Sequence, residues 1–592
     1  MANSDTLFFS DKISKIITVL NKINKKALYA GIGITVLATV FLFVFLHLSH
    51  HGSHADHHAS HTSGHSFYTT FSTTSKASFN GSHRIELIPA DSKVPLLEPH
   101  HWFVRIYDET GKEIQPDKLQ IRGSMPEHGH GLPTSPLVEN YTETDGYRIT
   151  NVSFSMAGNW KFIVEYSYQG IDDGAEFDIE FPTINNSAAS STEWSEIEKR
   201  LLQSLSLYTG KLVKVTRGND VALNNKAASL GHHLFFDKRL SKDSANACVT
   251  CHIPSQYFTD GLTTALGIGQ LPRNTPSIIG SVYQNWLYWD GRRDSLWSQA
   301  LVPIEAQEEM GSDRLSAARF ISENYANEYE AIFGKIPTIN FDQLPTQASP
   351  VANNTAQTAW KTIDPSTQTA INTIFANTGK AIAAYESMLS PKAGRFDEFV
   401  NVLLESDDPD PETLNAYLNQ SEQRGLRLFI SNRTQCLNCH SSAMFSNFGF
   451  HNIGTAQAKD NSIDAGRMLG IQSVQSNEFN CNSSFSTGND GSCNLLNSTN
   501  NLDATLSIHG AFRVPGLRGL KQSAPYMHDG RFAELKDVIR FYVEPQPQLL
   551  GKRHDLPVID KLNDAEINDL AAFLQSLGDQ VDVDSTWLKP PG

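Results

Sequence analysis

The amino-acid sequence predicts a multidomain chain: one transmembrane helix, a small all-β sandwich, then two mainly α-helical domains. Three observations predict it. Residues 27–48 form an apolar run with no charged side chain. Residues 66–182 consist of short alternating runs separated by turn chemistry. From about residue 195 the apolar residues recur at helical spacing. The boundaries read from these shifts are 1–26 (cytoplasmic segment), 27–48 (transmembrane helix), 49–65 (His-rich stalk), 66–182 (β-sandwich), 183–194 (linker), 195–400 and 401–592 (two helical domains).

The run ALYAGIGITVLATVFLFVFLHL meets the ~20 apolar residues a membrane-spanning helix needs. Lys12, Lys15, Lys22, Lys25 and Lys26 precede it, so the positive-inside rule places the N-terminus in the cytoplasm. The expectation is a single-pass inner-membrane protein with its bulk in the periplasm. A cleaved signal peptide fits less well, because the run is long and no small-x-small site closely follows it. The next tract, from His50 to His65, reads as a flexible polar stalk.

Within 66–182 the runs SHRIELIPA, HWFVRIYDE, YRITNVSFSM and WKFIVEYSYQ alternate with a period of two. Turns such as Asp108-Glu109-Thr110-Gly111 separate them, which suggests a sandwich. Further on, TGKAIAAYESMLS, LKDVIRFYV and DAEINDLAAFLQSLG carry helical periodicity. The formal net charge of −16 argues against a nucleic-acid partner, which requires a basic face.

The cysteines carry the most specific signal. Of six, four fall in Cys248-Val-Thr-Cys251-His252 and Cys436-Leu-Asn-Cys439-His440. C-x-x-C-H is the attachment motif for c-type haem: two thiols add to the porphyrin vinyl groups and the adjacent His reaches the iron. A redox dithiol or a zinc site would leave both histidines unexplained. Two covalent haem c groups are therefore expected, one in each helical domain. Cys481 and Cys493, in a polar insertion, are expected to form a disulfide.

Around these motifs the sequence resembles a known family. LGHHLFFDKRLSKDSANACVTCH, RNTPS, YWDGRRDSLWSQALVPIEAQEEMG and FRVPGLRGLKQSAPYMHDGRFAELKDVIRFY follow the order seen in bacterial dihaem cytochrome c peroxidases, which include the MauG-type enzymes. The resemblance spans about Ala227 to Gly578. It implies two mainly α-helical cytochrome-c-like haem domains, with Cys248, Cys251 and His252 holding a peroxide-reacting haem and Cys436, Cys439 and His440 holding an electron-transfer haem. It further implies Glu309 as a distal acid–base group, with Glu308 leaving the register open by one residue. Gln299 is implied as a distal hydrogen-bonding residue, Trp289 as an aromatic between the haems, and Asn274 as a ligand of an interdomain calcium ion, completed by backbone carbonyls near Arg513 and Pro515.

Two departures stand out. Many peroxidases of this family carry a capping His before RNTPS, but DGLTTALGIGQLPRNTPS contains none. The resemblance then implies an open N-terminal iron. At the position of the usual Met ligand of the second haem, the register places Tyr542, as in MauG-type enzymes, with Met527 as the competing ligand. His528 reads as a supporting residue.

SMPEHGHGLPTSP and SFSMAGNW resemble small FixH/YtkA-like β-domains. Met125, His128, His130 and Met156 are the copper-ligand candidates there, set against a plain turn with exposed histidines.

The expected function is a dihaem peroxidase that reduces hydrogen peroxide with electrons from a small cytochrome c or cupredoxin in the periplasm. Two alternatives stand beside it: a MauG-type enzyme oxidising Trp or Tyr residues of a partner protein, and a membrane-anchored dihaem electron carrier. A homodimer is compatible with each.

Overall fold

The computed structural model describes residues 68–592 apart from 97–99, 126–129, 133–135, 143, 145, 155–157, 182–192, 211, 407–408, 457–461, 489–492, 494–495, 497–507, 545–558, 560 and 579. Residues 66–592 cluster as one compact unit. It opens on β-structure and continues as helices.

The β-part holds two main antiparallel sheets. One places the strand His100–Tyr107 between Arg84–Pro89 and Gly146–Val152; the other places Gly158–Tyr168 between Ile171–Phe181 and Lys118–Met125. Alternation dictates the packing. Along Gly158–Tyr168 the side chains are buried at every second position up to Tyr166, so Trp160, Phe162 and Val164 face inward while Lys161 meets Asp178 and Glu176 outside. Trp102 from the first sheet packs on Phe162 of the second, with ring centroids 5.3 Å apart, and both are fully buried.

The helical part contains two modules built by the same device. In the first, α1 (Asn225–Phe236) precedes α2 (Cys248–Cys251), followed by α3 (Leu296–Glu305) and α4 (Pro365–Glu386). Helix α1 crosses α4 at Gly231, where an added Cβ would lie 1.9 Å from the Ala381 carbonyl oxygen. In the second, α5 (Arg395–Glu405), α6 (Gln420–Ile430), α7 (Leu535–Val543) and α8 (Asp564–Gln575) assemble around the second cysteine motif. Helix α6 crosses α8 at Gly425, where a Cβ would lie 2.0 Å from the Asp569 carbonyl oxygen. Neither glycine has a positive φ; each is there because two helix backbones touch.

The second module is fastened from inside. Arg518 grips Asp397 with two parallel bonds of 2.8 and 2.9 Å, and the pair is almost completely buried. Asp397 also accepts the backbone N–H of Leu207 and of Gly394, both at 2.8 Å.

The membrane expectation is corrected here. No helix among the described residues is long and apolar enough to cross a membrane. Residues 27–48, on which the transmembrane helix and single-pass inner-membrane placement rested, lie outside the described residues, as does the His-rich tract. The longest described helix, α4, has 22 residues but carries Asn372, Thr378, Lys380 and Glu386 among its buried positions, so its length serves a protein core.

Candidate functional site: two cysteine–histidine cavities

The first cavity, about 50 Å³, is lined by Cys248, Cys251 and His252 on one side and by Gln299, Pro303, Glu309 and Met310 on another. Both cysteines are free thiols. His252 Nδ1 lies 3.1 Å from the Phe258 carbonyl oxygen, so Nδ1 carries the proton and Nε2 keeps its lone pair. Burial lowers the proton affinity of this imidazole, which keeps it neutral and able to ligate.

Three local features bring the other residues to this cavity. Helix α3 presents Gln299. The turn after α3 closes with Glu309 N–H donating to Ala306 O, and the loop 265–271 lies against that turn through Ile268 N–H to Glu309 O and Gly269 N–H to Glu308 O. A Cβ on Gly267 would sit 2.6 Å from Glu308 O, so only glycine permits the approach. The turn decides the glutamate register: Glu309 lines the cavity, whereas Glu308 is exposed. Burial raises the Glu309 carboxyl above its ordinary range; Arg292 pulls it down and Glu308 pushes it up.

Gln299 Nε2 donates to the Tyr288 hydroxyl at 3.3 Å. Tyr288 has φ +68°, a left-handed backbone that a bulky residue rarely adopts, and the Arg292 guanidinium lies 3.4 Å from its ring centre. Burial raises its phenol, so the hydroxyl stays protonated.

The second cavity, about 260 Å³, is lined by Cys436, Cys439, His440, Trp289, Asn274, Arg513, Met527 and Tyr542, among others. Cys436 and Cys439 are free thiols. His440 repeats the arrangement of His252: its Nδ1 donates to Phe445 O at 3.0 Å, and burial pushes its proton affinity down to about 4. Tyr542 on α7 and Met527 both line this cavity, so either could serve as a further ligand of a haem held there. His528 is stacked on Phe512 at 3.6 Å.

Trp289 follows Tyr288 in the chain and turns to the second cavity. It is buried and held by Nε1–H to the Asn274 carbonyl at 3.0 Å, while its own carbonyl accepts Arg513 N–H at 2.8 Å. Tyr288 is thus bonded to Gln299 of the first cavity, while Trp289 lines the second. Asn274 donates through Nδ2 to Leu262 O at 2.8 Å and through its backbone N–H to His528 O at 2.8 Å. Among the described residues no group of three or more His, Cys, Asp or Glu is placed to hold a metal ion.

Of the copper candidates, Met125 and His130 lie directly opposite each other across two paired strands. His128 and Met156 are outside the described residues. Cys481 and Cys493 form a disulfide with Cα atoms 5.5 Å apart.

Sequence reasoning missed three groups. Glu386, at the end of α4, is 4% exposed and lines the first cavity, with no hydrogen-bond partner at Oε2. Arg513 is buried beside the second cavity. Tyr288 supports Gln299. The only available signal was a carboxylate or cation inside an otherwise apolar run, such as Glu386 in AIAAYESML.

The donor set fits two c-type haems: each cavity pairs two free thiols with a neutral, oriented imidazole. Comparison with known proteins agrees. Residues 225–403 match the family model for di-haem cytochrome c peroxidase, and residues 84–165 match the YtkA-like model. The chain is 29% identical to methylamine utilization protein MauG of Methylophilus methylotrophus over 60% of its own length and 83% of that protein. It is 26% identical to cytochrome c551 peroxidase of Nitrosomonas europaea over 62% of its own length and 84% of that one. Among solved structures, a MauG-like protein associated with microbial copper homeostasis aligns at 24% identity and a TM-score of 0.44, covering 64% of this chain and 97% of that one.

Proposed function

We infer, from the premise that this chain carries a di-haem cytochrome c peroxidase/MauG domain behind a YtkA-like domain, that it is a dihaem c-type peroxidase. It reduces hydrogen peroxide to water with two protons and two electrons, the electrons coming from a donor protein. The observation that carries this reading is the first cavity, where Gln299 and Glu309 share one space with Cys248, Cys251 and His252.

Haem iron, when bound, supplies the redox chemistry of O–O cleavage. His252 offers it a neutral Nε2. Burial raises the Glu309 carboxyl above its ordinary range, and in its ionised form it takes a proton from one peroxide oxygen and returns it to the other. Gln299, steadied by the Tyr288 hydroxyl, orients the peroxide by hydrogen bonding. Cys436, Cys439 and His440 hold the second haem, and Trp289 lies on the electron route between the two. Tyr542 is the proposed ligand opposite His440, with Met527 the alternative. Asn274 would offer its amide oxygen to calcium together with backbone carbonyls near Arg513 and Pro515, an all-oxygen set that suits that ion. Copper in the β-domain would draw on Met125 and His130, paired across their strands, with His128 and Met156.

The test is stopped-flow spectroscopy of the fully oxidised holoprotein mixed with hydrogen peroxide. A rapid spectral change without prior reduction supports the reading and an open N-terminal iron. An inert protein that needs priming refutes the open iron, and one inert even after priming refutes the peroxidase. A second reading, oxidation of Trp or Tyr residues on a partner protein, is favoured by Tyr542 lining the second cavity. It is distinguished by a peroxide-dependent mass change in the partner with little turnover of a reduced cytochrome.

A further inference from the structure

A buried cation needs an anion, because the cost of removing it from water is offset only by a close opposite charge. Among the described residues the buried arginines follow this rule with one exception. Arg314 meets Glu305 and Glu478, and Arg518 meets Asp397. Arg467 is held by the carbonyls of Asp290 and Gly291, between the rings of Trp286 and Phe450, with the Asp290 carboxylate near enough to support its charge. Arg217 is fixed by the carbonyls of Asn285 and Asp294 and feels the Asp294 carboxylate.

Arg513 has no such support. It is 5% exposed. Its side chain reaches only carbonyl oxygens, through Nε to Tyr288 O at 3.3 Å and Nη1 to Val514 O at 3.5 Å. Among the described residues no carboxylate bonds its guanidinium. It lines the cavity that holds Cys436, Cys439 and His440, and its backbone is bonded to Trp289. The missing anion is therefore expected inside this cavity.

We propose that Arg513 takes a propionate carboxylate of the haem bound at Cys436 and Cys439, and so fixes the charge of that haem beside Trp289. The proposal rests on the dihaem reading above. A guanidinium fork matches a carboxylate with two parallel donors, a geometry that lysine lacks. The positive charge favours the ferrous over the ferric haem. Its loss leaves an unpaired propionate and shifts the site towards ferric iron.

The experiment uses the full-length holoprotein, with intact mass establishing two haem adducts before anything else is measured. A mass lacking the adducts refutes the dihaem reading itself. With both present, spectroelectrochemical titration of the C-terminal haem compares wild type with Arg513→Gln and Arg513→Lys. Arg513→Gln is expected to favour the ferric form about tenfold, a fall in midpoint potential of about 59 mV for one electron, and Arg513→Lys is expected to recover part of it. Equal potentials in all three proteins overturn the proposal. Should the variants not fold, the wild type decides. Its haem propionate bending bands in resonance Raman spectra are expected to shift on exchange into D2O, through the guanidinium protons. Bands insensitive to exchange overturn the proposal.

Discussion

Replacing Glu309 by Gln keeps the size of the side chain and removes its proton. The structure sets the expected magnitude. Glu309 lines the cavity with His252 and Gln299, while Glu308, its chain neighbour, is exposed. A positioned acid–base group contributes about 10²–10⁴ in rate, or about 3–5 kcal/mol of barrier at roughly 1.4 kcal/mol per decade. Glu309→Gln is therefore expected to slow the second-order reaction of the oxidised holoprotein with hydrogen peroxide by about two to four decades, read by stopped-flow absorbance. Glu308→Gln is expected to leave it unchanged. The pH profile adds a sign. Glu309 must be ionised to accept the first proton from peroxide, so the rate falls as pH drops through its proton affinity. Burial and Glu308 put that limb above the ordinary carboxylate value of 4.5, and Arg292 opposes them. Arg292→Gln should move the limb to higher pH. A Glu309→Gln variant that reacts like wild type, or a Glu308→Gln variant that is equally slow, would refute this assignment.

Other expectations concern stability. Asp397→Ala strands the Arg518 guanidinium in the interior and orphans the N–H groups of Leu207 and Gly394. Chemical denaturation should show a loss of about 3–5 kcal/mol in the second helical module. Gly231→Ala forces α1 off α4, since the new methyl would lie 1.9 Å from Ala381 O. A cost of about 1–3 kcal/mol or more is expected as a lowered Tm of the first module, and an unchanged Tm would contradict the backbone contact. Glu386 has its proton affinity raised by burial from 4.5 to about 8. Within that window the unfolded chain ionises while the folded one stays protonated, so this group lowers stability as pH rises from the first value to the second. Glu386→Gln should flatten that slope, stabilising the protein relative to wild type at the alkaline end but not at the acid end. A slope retained in the variant would assign it to other groups.

What could be read from the chain alone was whatever depends on near neighbours. Cysteine, cysteine and histidine fall within one turn, so C-x-x-C-H states its chemistry without a fold. The β-part was legible because period-two alternation is itself the condition for a half-buried strand, as Gly158–Tyr168 shows. The Glu309 register was not legible. Two adjacent glutamates are equivalent in sequence, and only the turn after α3, held against Gly267, turns one inward and the other to solvent.

The expected transmembrane helix is not supported, because no helix among the described residues is long and apolar enough to cross a membrane. Apolar composition between 27 and 48 predicts a preference for an apolar medium, whereas among the described residues long helices such as α4 meet that medium in the protein core. The sequence by itself determined where the two C-x-x-C-H motifs lie, that a strand-forming part precedes a helical part, and which family's order of motifs the chain resembles. Tertiary structure alone decided that Tyr288 bonds Gln299 while Trp289 lines the second cavity, that Gly231 and Gly425 are helix contacts, and that Arg513 and Glu386 are buried without an opposite charge. The physical reason is range. Covalent attachment and periodicity act over a few bonds or one helical turn, but burial and charge pairing are set by segments far apart in sequence, and they exist only once those segments have packed.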